Sequence, residues 1–181
     1  MVNSPSHIDL LRSVRAMVAE ATGIPNSNVI PGNDNHPAPN SLYATVLIIS
    51  ITGEGIDSEV ARDADDDTET DLNIKGNRIG NFSVQIFRAG AADAIESLLS
   101  FGASSVGQIW LEENNLTWRK ASDTRILDAV MGSKWEERRS VDIELKYTST
   151  KVDTVNSLAS AEINIELTDS IDTTETEEVT E

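Results

Sequence analysis

The chain has 181 residues, of which 39% are apolar, 25% charged and 4% aromatic, and its 31 acidic against 14 basic side chains leave a net charge of −17. This is the size of one modest domain with tails, and no window approaches the roughly 18 uninterrupted apolar residues of a membrane span. With no basic stretch ahead of an apolar run at the N-terminus a soluble, unsecreted protein is expected, and with no cysteine, disulfide scaffolds, thiolate zinc sites and cysteine nucleophiles are excluded.

Ser4-Pro5-Ser6 offers helix-capping chemistry and Gly23 a stop, which predicts a helix over residues 6–21. Its apolar stripe is Leu10, Leu11, Val14, Met17, Val18 and Ala21, spaced by threes and fours. Residues 24–40 hold Pro25, Pro31, Pro37 and Pro39 around a polar Gly32–Asn35 cluster and read as a loop or extended arm. The β-branched run Leu42–Thr52 is apolar on both alternating faces, so it predicts a strand covered on each side by helices or by another subunit.

Residues 54–71 then carry nine acids and one base, and residues 169–181 six acids and no base. These stretches hold −8 and −6, leaving only −3 for the rest, so the acidity belongs to two appendages. Both lack the apolar surface needed to offset ordering entropy and read as mobile: an acidic insertion at about 54–72 and a disordered tail at 169–181. Asp63, Asp65, Asp66, Asp67, Glu69 and Asp71 of the insertion form an acidic loop expected to face either a lumen or the outer surface.

Beyond the insertion, Ile79–Arg88 alternates as a second strand, and Gly90–Phe101 predicts a helix with Ala91, Ala94, Ile95, Leu98 and Leu99 on one side and Gly102 after it. Ser105–Leu111 reads as a short strand, a polar turn at 112–115 leads into Leu116-Thr117-Trp118, and a helical turn carrying Ile126, Leu127 and Val130 starts near Ser122. Residues 134–149 alternate as a long strand with one wet face, and Ser157–Thr168 repeats the pattern as a closing hairpin. The sum is one α+β domain over residues 1–168, with a mostly antiparallel sheet and helices packed on one face.

Two strings imitate catalytic or metal sites. Glu144 and Lys146 point the same way along a strand, as in metal-dependent nucleases, with Asp128 or Asp142 as further carboxylates. Alternating charge on a solvent-facing strand gives the same string and is the preferred reading. Asp63 to Glu69 imitates a calcium loop, but Thr68 stands where the glycine belongs and Ile74 where the closing glutamate belongs. His7 and His36 are isolated, and no nucleophile elbow, zinc helix or phosphate loop occurs. No enzyme activity, cofactor or metal is expected. Arg119-Lys120 and Arg138-Arg139 are the only basic doublets, too thin for a nucleic-acid patch, and Trp118 and Trp135 read as core or interface anchors.

Leu10-Leu11-Arg12, Thr22-Gly23-Ile24-Pro25, Pro31-Gly32-Asn33, Pro37-Ala38-Pro39 and Tyr43-Ala44-Thr45 resemble, in this order, the start of tailed-phage neck or tail terminator proteins. Residues Ser83 to Ala91 running into a helix with Asp93 and Ala94, and Trp135-Glu136-Glu137-Arg138-Arg139 ahead of a strand ending in Tyr147-Thr148, continue the resemblance across about residues 8–150. It implies a virion protein, assembled in the host cytoplasm, that forms a hexameric ring on the tail tube. Its partners would be further copies, the tail tube protein, the neck or head-tail connector protein and, in a contractile tail, the sheath. Genomic DNA would pass through the lumen without sequence-specific binding, and no membrane is involved. The same carry-over marks Trp135, Glu136, Glu137, Arg138, Arg139, Phe87 and Arg88 as a subunit or partner interface. A different connector ring or head-completion protein is the nearer alternative, a nuclease the more distant one.

Overall fold

The computed structural model describes residues 7–33, 37–63, 69–131 and 134–156. Helix α1 (His7–Thr22) leads through a 3-10 turn into the short strand β1 (Val29–Pro31), then β2 (Tyr43–Asp63) and β3 (Glu69–Phe87). Helices α2 (Ala91–Ala103) and α3 (Ser105–Glu113) follow, then β4 (Leu116–Ala121), β5 (Arg125–Ile126), β6 (Ala129–Met131), β7 (Lys134–Glu136) and β8 (Arg138–Asn156). The main sheet runs in the order β1-β2-β3-β8-β4 with β5 also on β8, and all its pairings but β1–β2 are antiparallel, which makes an α+β fold. Strands β6 and β7 form a separate hairpin. No helix among the described residues is long and apolar enough to cross a membrane.

Register explains the core. Val46 pairs with Val84 and Val84 with Val141, while Phe82 lies between Ile48 and Ile143, so one face of the three central strands is apolar. Leu10, Val14, Met17 and Val18 of α1 and Ala91, Ala94, Ile95 and Leu98 of α2 bury themselves against that face. Each such fully buried aliphatic or aromatic side chain contributes roughly 1.5–3 kcal/mol. The opposite face carries no helix; Leu47 stays 39% and Ile49 51% exposed there. The two-sided cover expected for β2 is thus present on one side within this subunit.

Several expectations are corrected. The described parts of the acidic segment are strand rather than irregular insertion: 54–63 pairs with 70–77 of β3 on either side of an interruption at 55–57, and β3 pairs onward with β8 as far as Asn156. A three-stranded arm results, in which the neighbouring strands supply the hydrogen bonds that the segment's own composition could not predict. Beyond Val46, Phe82 and Leu145 these strands carry no fully buried hydrophobic side chain among the described residues. Glu69–Ile79 alone spans roughly 35 Å at the rise of a strand. Asp65, Asp66 and Asp67 lie outside the described residues, as do His36, the hairpin expected at 157–168 and the tail.

Ser105–Glu113 is helix rather than strand. The Ser104 hydroxyl accepts from the Gly107 amide at 3.0 Å, a helix cap. This helix buries Gly107 and Leu111 while exposing Val106 and Ile109, so its outward apolar residues disguise its period. The helical turn expected near Ser122 is instead strand β5 and the β6–β7 hairpin, because backbone partners on β8 outcompete local propensity: Leu127 N–H donates to Arg138 O at 2.9 Å. The strand expected over 134–149 divides at Glu137 into β7 and β8.

Candidate functional site

The residues marked as an interface come together at the end of the sheet where β3 enters α2 and β8 begins. Phe87 is the register partner of Tyr43 on one side and Arg138 on the other. The Tyr43 and Phe87 rings stack at 4.6 Å, and the Arg138 guanidinium lies over Phe87, 4.8 Å from its centroid. Arg138 also donates to Gln85. Burial first, then the nearby Glu136 carboxylate, hold the Tyr43 phenol above its ordinary range, against the opposing pull of Arg88 and Arg138.

Arg88 sits at φ +84, a left-handed conformation unusual for a side-chain-bearing residue. Surroundings hold it there. Its amide donates to Glu137 O at 2.9 Å, and its guanidinium donates to Glu136 Oε2 at 3.0 Å. Glu137 lies between β7 and β8, and its carboxylate accepts from the amides of Gly90 at 3.0 Å and Ala92 at 2.9 Å, at the start of α2. Helix α2 has glycine at its N-cap and no side-chain cap of its own, so a carboxylate from β8's start satisfies its free amides and its dipole.

Asp128 fixes the other side. It accepts from the Arg138 amide at 2.9 Å and forms an ion pair with Arg139, and those two contacts, the backbone one foremost, hold its carboxyl below the usual carboxylate range. The β6–β7 hairpin therefore hangs from a pinned residue. On it Val130 and Trp135 are cross-strand partners, and both point outward, Trp135 76% exposed. A cleft of about 430 Å³ runs between Arg88 and Ala89 and the hairpin's Lys134 and Trp135.

All seven marked residues thus surround one spot. Tyr43, Gln85 and Asp128 join them unmarked; Asp128 carried a sequence signal only as a carboxylate, and the Tyr43–Phe87 stack depends on register alone. Of the marked acids, Asp63, Glu69 and Asp71 belong to paired strands far from this cluster in register.

The nuclease-like string is taken apart by geometry. Glu144 pairs with Lys120 at 2.9 Å, Lys146 with Glu54 at 2.7 Å, and Asp142 with Arg125 at 2.8 Å. Each charge is used in a separate cross-strand pair on the helix-free face. Among the described residues no group of three or more His, Cys, Asp or Glu is placed to hold a metal ion.

A mostly antiparallel sheet with helices on one face, ending in a charged and aromatic-bearing cluster, defines an α+β protein. A family model described as phage neck terminator protein matches residues 9–170, and the chain belongs to that family. No curated protein matches the chain. The family is a structural one, which gives the chain a place in the neck and tail region of a virion and makes other head and tail proteins its partners.

Proposed function

We propose that the chain is a ring-forming, non-catalytic subunit that ends tail-tube growth and joins the tube to the neck connector. One observation carries the reading beyond the family: a tryptophan 76% exposed on a hairpin whose root is fixed by Asp128, beside a network of ion pairs. An exposed aromatic anchor on a rigid support is the residue type that dominates protein interfaces. In the ring, Trp135 and the Arg88–Glu136 rim meet the next copy, and the uncovered Leu47 and Ile49 lie beneath a neighbour. Tail tube protein, connector and, in a contractile tail, sheath meet the remaining faces. Genomic DNA passes through the lumen; the acids of 54–71 line it and repel phosphate, so the duplex slides.

Native mass spectrometry of the full chain, alone and with isolated tail tubes, tests this. A closed ring is expected for the natural chain and a monomer of unchanged circular dichroism for Trp135→Ala. A natural chain that stays monomeric and binds no tube end overturns the terminator role; a ring untouched by Trp135→Ala removes this patch from the interface. Replacing the acids of 54–71 by Asn and Gln should slow DNA ejection without blocking assembly, and unchanged ejection kinetics would remove the lumen assignment.

A further inference from the structure

After a one-residue shift at Ile49, strands β2 and β3 pair from Ser50↔Asn81 to Glu54↔Asn77 and resume at Ser58↔Lys75, so Gly55, Ile56 and Asp57 face the single residue Gly76. Such a bulge bends its strand and increases the local twist. Gly55 takes φ +79, which glycine adopts without steric cost, and Ile56 is pushed out of the sheet to 99% exposure. Asp57 turns the other way. Its two carboxylate oxygens accept from Nη1 and Nη2 of Arg78 at 2.7 and 2.5 Å, a bidentate pair. That pair fills the space over Gly76, where a Cβ would stand 2.0 Å from Asp57 Oδ1 and 2.3 Å from Arg78 Nη1.

On the core side of the bulge, Glu54 accepts from Arg119 of β4 at 2.6 Å and forms an ion pair with Lys146 of β8 at 2.7 Å. The β3–β8 register passes this level without a break. One strand is therefore interrupted while two run through, and ion pairs hold both sides of the interruption. Burial contributes little here, because the core apolar residues lie nearer the helices.

We infer that this bulge is a latched joint in the arm. The Asp57–Arg78 pair seated on Gly76 fixes the outer arm, residues 58–63 of β2, to β3 and through it to the inner sheet. Opening the latch releases the outer arm as a unit while the helix-covered sheet stays folded. The device gives a docking partner a single ion pair to exchange in order to redirect the arm, and it holds whether or not the chain forms a ring.

Hydrogen exchange read by mass spectrometry on the full chain tests the latch. Asp57→Asn removes the ion pair at nearly constant shape, and Gly76→Ala expels the pair while keeping both charges. Each should speed exchange of the outer-arm amides at least about tenfold and leave those of Phe82–Ile86 and Val141–Leu145 unchanged. Glu59→Gln removes a carboxylate from the same strand that has no ion-pair partner among the described residues, and should leave the outer arm at the natural rate. Arm exchange unchanged in Asp57→Asn and Gly76→Ala, arm and core accelerated together, or Glu59→Gln matching Asp57→Asn would each overturn the inference.

Discussion

The same three strands pass through two environments. Near the helices β2, β3 and β8 present Val46, Val84, Val141, Phe82 and Ile143 to a dry interior, and side-chain burial orders them. In the arm they stay paired, with β2 interrupted at 55–57 and no fully buried hydrophobic side chain among the described residues, and order rests on backbone hydrogen bonds and on the pairs Asp57–Arg78 and Glu54–Lys146. Burial is insensitive to salt and pH over a wide range; exposed ion pairs are not. The core should therefore set global stability, and the arm should respond to ionic conditions while the core stands.

The largest effect expected is from Phe82→Ala. This fully buried ring, which also lies over Gly80 where a Cβ would be 2.6 Å from it, should cost about 3–5 kcal/mol in urea unfolding. A loss of less than about 1 kcal/mol would show that the sheet, not the core, carries stability. Next comes Gly102→Ala, whose new methyl would stand 2.4 Å from the Trp118 ring; about 1–3 kcal/mol is expected by the same measurement.

Glu137→Ala should cost about 0.5–2 kcal/mol, the range for a lost helix cap, and fray α2's first turn in hydrogen exchange. Glu137→Gln, which keeps one acceptor oxygen, should recover part of that loss.

The smallest effect is acid dependence. Asp57 and Asp128 have carboxyl pKa values lowered in the fold, Asp57 by Arg78 and Asp128 by Arg138 and Arg139. Their contribution is complete above the unfolded value near 3.8 and is lost as pH falls through the lower folded value. Asp128→Asn should make stability less dependent on pH below about 5, and Asp57→Asn should do so for arm exchange alone. Equal acid sensitivity in arm and core would erase the contrast between them.

Local signals were legible where they agreed with burial. The α1 stripe was read closely: Leu10, Val14, Met17 and Val18 are the residues it buries. Helix α2 begins at the Gly90 cap as expected but runs through Gly102, expected to follow it, to Ala103, with Ser104 as its C-cap. Misreadings share one cause. Helix α3 turns Val106 and Ile109 to solvent, and the arm pairs acids whose composition spells disorder, so in both cases the periodicity of side chains opposed the partner that decided the structure. The Ser104 cap was the signal that could have rescued α3. For the interface cluster, the family motifs marked Phe87, Arg88 and Trp135 to Arg139 as separate strings, and nothing in either string announced the Arg88 backbone at φ +84 or Glu137 capping a helix from another element.

By itself the sequence determined the α+β class, the core side chains of α1, α2 and the central strands, the cysteine-free chemistry and the family. Those follow from short-range periodicity, turn residues and motif order, which each segment carries alone. Tertiary structure decided that residues 54–63 and 70–77 of the acidic region pair into an arm, that Glu144 and Lys146 answer different partners, and that two distant motifs meet at one end of the sheet. Each of those outcomes depends on which strand lies beside which. Strand pairing satisfies backbone groups over long sequence separations, and no local pattern encodes it.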